Sequence, residues 1–144
     1  MFSQTAEYAL RAVTWLAANI DQGPVGVPRI AEATMVPSSY LAKILQSLVK
    51  SEIASSKRGI GGGFQLAVEP KKLSVLDVVN AVDPIKRIHS CPLKLATHQK
   101  RLCPMHSRLD EAMESVEKAL AESMISDLLM DNSRPKPLED TICW

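Results

Sequence analysis

Aromatic side chains are scarce in this sequence, with two each of phenylalanine, tyrosine and tryptophan among 144 residues. Packing must therefore rest on Leu, Ile, Val, Ala and Met. The chain is 46% hydrophobic, enough to bury one modest core. No apolar run approaches the roughly 20 residues that a bilayer crossing needs. The first residues, MFSQTAEYALRAV, lack the basic flank and apolar block of a secretory leader. A cytoplasmic protein with no membrane partner is expected. The three cysteines, Cys91, Cys103 and Cys143, are too few for a disulfide scaffold. Unpaired thiols in that compartment point to metal binding or redox chemistry instead. Cys143, beside Trp144, reads as an exposed thiol outside any site. Repeats and low-complexity tracts are missing. So is a nucleophile–base pair on structured elements. The run from Gly59 to Gly63 also lacks the trailing Lys-Ser/Thr of a phosphate loop, so an enzyme is not expected.

A strong overall charge is absent too, the net value being +1. Residues 1–63 hold six basic and four acidic side chains, residues 84–109 six basic and none acidic, and residues 110–133 one basic and seven acidic. The near-neutral total hides local blocks, and a polyanion meets the local field.

What is present is helical periodicity. Ser3 can cap a helix running to about Ile20, with Ala6, Leu10, Val13, Trp15, Leu16 and Ala17 at helical spacing. Gly23-Pro24 marks a turn. Residues 27–36 form a short amphipathic helix ended by Val36-Pro37. Ser38 or Ser39 then caps a helix over 38–52, which turns Leu41, Ile44, Leu45, Leu48 and Val49 inward. Ser39, Lys43, Gln46, Ser47 and Lys50 are left outside. Two short helices around a tight turn, the second with a polar and basic outer face, predict a helix-turn-helix. Residues 53–68 read as a hairpin with the basic, Gly-rich tip Lys57-Arg58-Gly59. Such a tip suits a wing, because glycines let backbone lie close to phosphates and Arg58 can enter a minor groove. Ser74 and Asp77 have capping-box spacing and open a helix to about Val82. Residues 84–103 are a basic loop without period. From Pro104 one long amphipathic helix is expected to carry Met105, Leu109, Met113, Val116, Leu120, Met124 and Leu128. A stripe that long exceeds what one small domain covers, and so predicts a homodimer. The expected organisation is a winged helix-turn-helix domain (1–83), a sensor loop (84–103), a dimerisation helix (104–131) and a flexible tail (132–144). The fold class is mainly α with a small β-hairpin.

These pieces resemble the Rrf-two family of bacterial winged helix-turn-helix regulators, relatives of the iron–sulfur cluster regulator and the nitric-oxide-sensing repressor. The matching segments are EYALRAV (7–13), PSSYLAKILQSLVKSEIASSKRGIGGGFQLA (37–67), LSVLDVVNAVD (73–83) and CPLKLATHQKRLCPMHSRLD (91–110). The Arg-Gly-x-Gly-Gly-Gly wing after the Ser-Tyr-Leu helix is the specific part. The resemblance implies a homodimer on a palindromic double-stranded DNA operator, with repression the expected outcome. By position, Ser38, Ser39, Tyr40, Lys43 and Gln46 would approach bases or backbone, joined by Lys57, Arg58 and Gly59 from the wing. A relative carries an acid at the position of Ala42, which leaves the operator preference open.

The resemblance also implies a sensor in the loop. Cys91 and Cys103 have eleven residues between them and His106 follows Cys103 by three. The family pattern places a third cysteine midway, where this chain has Thr97 with His98 beside it. Cys91, Cys103, His106 and a fourth donor, either His98 or Glu7 from the partner subunit's first helix, would suit a two-iron two-sulfur cluster, with zinc as the alternative. His89 is a weaker candidate. A metal-free member that senses by oxidation of Cys91 and Cys103, or through a small ligand, remains open.

Overall fold

The computed structural model describes residues 2–139, so Cys143 and Trp144 lie outside the described residues. Six α-helices and one two-stranded antiparallel hairpin follow the chain: α1 (Gln4–Ala18), α2 (Val27–Thr34), α3 (Ser38–Lys50), β1 (Ala54–Lys57), β2 (Gly63–Leu66), α4 (Val75–Val82), α5 (Pro104–Glu122) and α6 (Ile125–Met130). The fold is a winged helix-turn-helix carrying a long C-terminal helix.

Ser3 caps α1 by accepting from the Ala6 amide at 3.1 Å. The helix stops at Ala18 and a single 3₁₀ turn, Ile20–Gln22, replaces its expected last turn. Met35, left-handed at φ 53°, ends α2 and donates its N–H back to Ala31 and Glu32. Neither Ser38 nor Ser39 caps α3, although the sequence predicts a cap from one of them. Pro37 holds the cap position, and its carbonyl accepts from the Tyr40 and Leu41 amides at 3.0 and 2.9 Å. Ser38 and Ser39 are thereby inside the first turn, both exposed.

Leu41, Leu45 and Leu48 of α3 are fully buried with Val13 of α1, Ile30 of α2, and Val78 and Val79 of α4. Thr34, also fully buried, satisfies its hydroxyl on the Ile30 carbonyl at 2.7 Å. The hairpin pairs Ala54 with Leu66 and Lys57 with Gly63. Val25 braces it from outside, exchanging two backbone hydrogen bonds with Phe64 at 2.9 and 2.8 Å.

The predicted helix from Pro104 is not continuous. It breaks at Ser123–Met124, where the chain turns extended and forms a bridge between Met124 and Ser74. Val75 N–H donates to Ser123 O and Ile125 N–H to Leu73 O, each at 2.8 Å, and Ile125 is fully buried in the winged domain's core. Burying Ile125 and gaining two bonds outweighs two further helical residues. α5 itself buries none of its 19 residues. Leu138, beyond α6, packs partly buried against the core.

Candidate nucleic-acid interface and cysteine loop

Residues 39, 43, 46 and 50 fall on one side of α3 because helical neighbours recur at three and four. Ser38, Ser39, Tyr40, Lys43 and Gln46 are all exposed, while the opposite face is in the core. Tyr40 is 58% exposed and stands edge-on to Tyr8 of α1, with centroids 6.4 Å apart at 73°. The Arg11 guanidinium lies 5.5 Å from the Tyr8 ring centre and donates to Glu7 and to the Thr34 carbonyl at 3.4 Å. The first helix thus supports the position of Tyr40 from behind.

Lys57, Arg58 and Gly59 are exposed on the wing. Its shape depends on Gly63, at φ +145°, where a Cβ would meet the Val25 carbonyl at 2.3 Å. α3 and the wing therefore place every proposed DNA-facing side chain on exposed surface of one small unit.

The loop after α4 is held by Arg87, its second basic residue counting from Asp83. Arg87 binds Asp110 of α5 with two parallel bonds at 2.7 and 2.8 Å and reaches Glu117 at 3.1 Å. The Ile88 amide adds a bond to Asp110 at 2.8 Å. The Arg87 hydrogen bond, then the Ile88 amide, hold the Asp110 carboxyl well below the usual carboxylate range. Residue spacing alone does not reveal this clamp. Its one signal was the abrupt change from a purely basic to an acidic block at Asp110.

Beyond the clamp the four loop donors form two pairs. Cys91, 6% exposed, has its sulfur 3.5 Å from His98 Nδ1. Cys103, the N-cap residue of α5, has its sulfur 3.4 Å from Nδ1 of His106 one turn on. The hydrogen bond with His98, then backbone bonds, lower the Cys91 thiol below its ordinary value. Two thiols and two imidazoles have the softness that zinc or an iron–sulfur cluster takes, so the donor chemistry fits either group. Among the described residues, however, no three His, Cys, Asp or Glu side chains converge on one point. Glu7 is engaged by Arg11, and His89 is exposed. The protomer presents two separate Cys–His pairs.

An apolar groove of about 480 Å³ opens between α1, the end of α4 and α5, lined among others by Phe2, Ala6, Val79, Leu109, Met113 and Val116. No helix among the described residues is long and apolar enough to cross a membrane.

Comparison with known proteins places the chain. The Rrf2 family profile, described as an iron-dependent transcriptional regulator, matches residues 2–131. A candidate HTH-type transcriptional regulator of Aquifex aeolicus is 31% identical over 90% of this chain and 91% of its own. The HTH-type transcriptional regulator IscR of Aliivibrio salmonicida is 28% identical over 87% of this chain and 74% of its own. Among solved structures, T. potens IscR superposes with a TM-score of 0.75 at 24% identity, covering 100% of this chain and 93% of that one. CymR, the global cysteine regulator of B. subtilis, gives 0.72 at 21% identity, covering 89% and 95%. Family and neighbours are regulators of transcription and not enzymes. With a profile match over nearly its whole length, the chain belongs to the Rrf2 family of helix-turn-helix transcriptional regulators.

Proposed function

We propose that the protein is a homodimeric repressor that binds a palindromic operator and is switched at its cysteine loop. The observation that carries the DNA reading is the pairing of the exposed α3 face, with Tyr40 and Lys43, and a wing fixed by Val25 that presents Lys57 and Arg58. In this reading α3 enters the major groove, where Ser38, Ser39, Tyr40, Lys43 and Gln46 reach base edges or backbone. Lys57, Arg58 and Gly59 follow the adjacent phosphates. Two-fold symmetry matches two half-sites about one helical turn apart.

The dimer reading is supported by α5. Leu109 is 49% and Met105 61% exposed, and the groove beside them needs an apolar occupant. A second α5 crossing the first supplies one.

For the switch, Cys91, Cys103 and His106 would hold an iron–sulfur cluster or zinc, with His98 or Glu7 of the partner subunit as fourth donor. A cluster bound there supplies a one-electron redox change at the loop. The chain's own part is to bring its two Cys–His pairs together while the Arg87–Asp110 clamp keeps the loop's root on α5. Closing them would bias the spacing of the two α3 helices, by no more than the differential binding to the two arrangements. A specific observation favours a second reading. Cys91 is already hydrogen-bonded by His98 with a lowered pKa, as a metal-free thiol switch requires.

The DNA reading is tested by titrating duplex DNA at several salt concentrations. Affinity should fall steeply with salt, and a flat response or no binding removes the reading. The switch is tested by anaerobic purification with a visible spectrum and analysis for iron, sulfide and zinc. Bound iron and sulfide support the cluster. A colourless, metal-free dimer whose DNA affinity changes on thiol oxidation supports the second reading.

A further inference from the structure

Ile60 forms the tip of the wing and is exposed at 106% of its reference area, the most of any large apolar side chain described. It is not on a loose loop. The turn is closed by the Gly62 amide on the Gly59 carbonyl at 3.0 Å, and its last strand pair is Lys57 with Gly63. A Cβ on Gly62 would meet the Lys57 carbonyl at 2.3 Å, so the tip is packed backbone on backbone. The scaffold thus presents a branched aliphatic group to solvent in a defined place. Lys57 and Arg58 precede it, and neither has an ion-pair partner among the described residues. An apolar tip flanked by unpaired cations fits a surface that is apolar within and anionic at its rims. The minor groove of duplex DNA has that character, with sugar walls and phosphate edges.

The floor of that groove distinguishes base pairs by one group, since G·C carries the guanine N2 amino donor and A·T does not. An aliphatic side chain pressed on that donor strips its water without offering an acceptor, which is unfavourable. We infer that Ile60 is a specificity-determining residue, which enters the minor groove between the phosphates met by Lys57 and Arg58 and selects against G·C there. The inference rests on the DNA-binding reading above.

The test uses the full chain and a duplex recovered by it from a randomised pool. The steps that the wing protects from hydroxyl-radical cleavage are then replaced by A·T, G·C or inosine·C, the last lacking the amino group. The wild-type protein should bind the A·T and inosine forms on the order of tenfold more tightly than the G·C form. Ile60→Ser, fully exposed and so without folding consequence, should lose that preference while its salt dependence stays unchanged. Ile60→Val should retain most of it. The inference is overturned if Ile60→Ser keeps the preference, if inosine·C behaves as G·C, or if the substitution alters self-association instead, which would assign the tip to a protein contact. Those outcomes leave duplex binding intact. Failure to bind any duplex would remove both readings.

Discussion

Arg87 grips Asp110 with both ends of its guanidinium, Nε to Oδ1 at 2.7 Å and Nη2 to Oδ2 at 2.8 Å, joining the start of the cysteine loop to the second turn of α5. The bond holds Asp110 ionised well into acid and keeps Arg87 cationic throughout. A carboxylate with a depressed folded pKa contributes stability that is complete above its unfolded value of about 3.9 and fades as pH falls through the folded one. Protection of the Ile88 amide from hydrogen exchange, corrected for intrinsic rates, should therefore be flat from neutrality to about pH 4 and decline only below. In Asp110→Asn that protection should be weak at every pH, and alkylation of buried Cys91 should accelerate severalfold. Unchanged alkylation would show that the loop keeps its place without the clamp.

Two cations placed against the duplex, Arg58 on the wing and Lys43 on α3, should register in salt dependence. Arg58→Ala and Lys43→Ala should each weaken duplex binding across sequences and make the log–log salt slope shallower by about one. A variant that loses affinity only for particular sequences, with the slope preserved, would mark that side chain as a base reader instead.

The wing's glycines should not be equivalent. Gly59, at φ +91°, faces open space, so Gly59→Ala should incur only backbone strain, about 1–3 kcal/mol. Gly63→Ala drives a Cβ against the Val25 backbone at 2.3 Å and should both destabilise the fold more and reduce duplex affinity further. Urea unfolding beside duplex titration separates the two effects. Equal behaviour would mean that Val25 does not fix the wing.

Leu109, half-exposed on a helix with no fully buried residue in the protomer, should matter to association more than to folding. Leu109→Glu should shift light-scattering mass from dimer to monomer with little change in the winged domain's far-UV spectrum. Operator affinity should fall with it, because half-sites would then be bound independently. A Leu109→Glu dimer would place the interface elsewhere.

Most of the winged domain was legible because local rules and packing agree there. Leu41, Ile44, Leu45 and Leu48 fall on one helical face and are buried. Ser74 and Asp77 form the predicted reciprocal cap at 3.1 and 3.0 Å. The break at Met124 was hidden because Leu120, Met124 and Leu128 continue a helical period, while the interaction that wins is a strand-like bridge to distant Ser74. Likewise Arg87 and Asp110 are neighbours only through the loop's path. That path also decides that Cys91 meets His98, whereas Cys103 meets His106 through the first turn of α5, the spacing of three already visible in the sequence.

The return of the chain after α5 reverses an intuition about its carboxyl end. Ile125 lies wholly inside the domain that carries α3, and Ser123 and Ile125 hydrogen-bond both sides of the α4 entrance. Trimming the polypeptide just ahead of Ile125 would leave the protruding helix intact and hollow out the DNA-reading half, so residues remote in sequence from the wing act as its keystone.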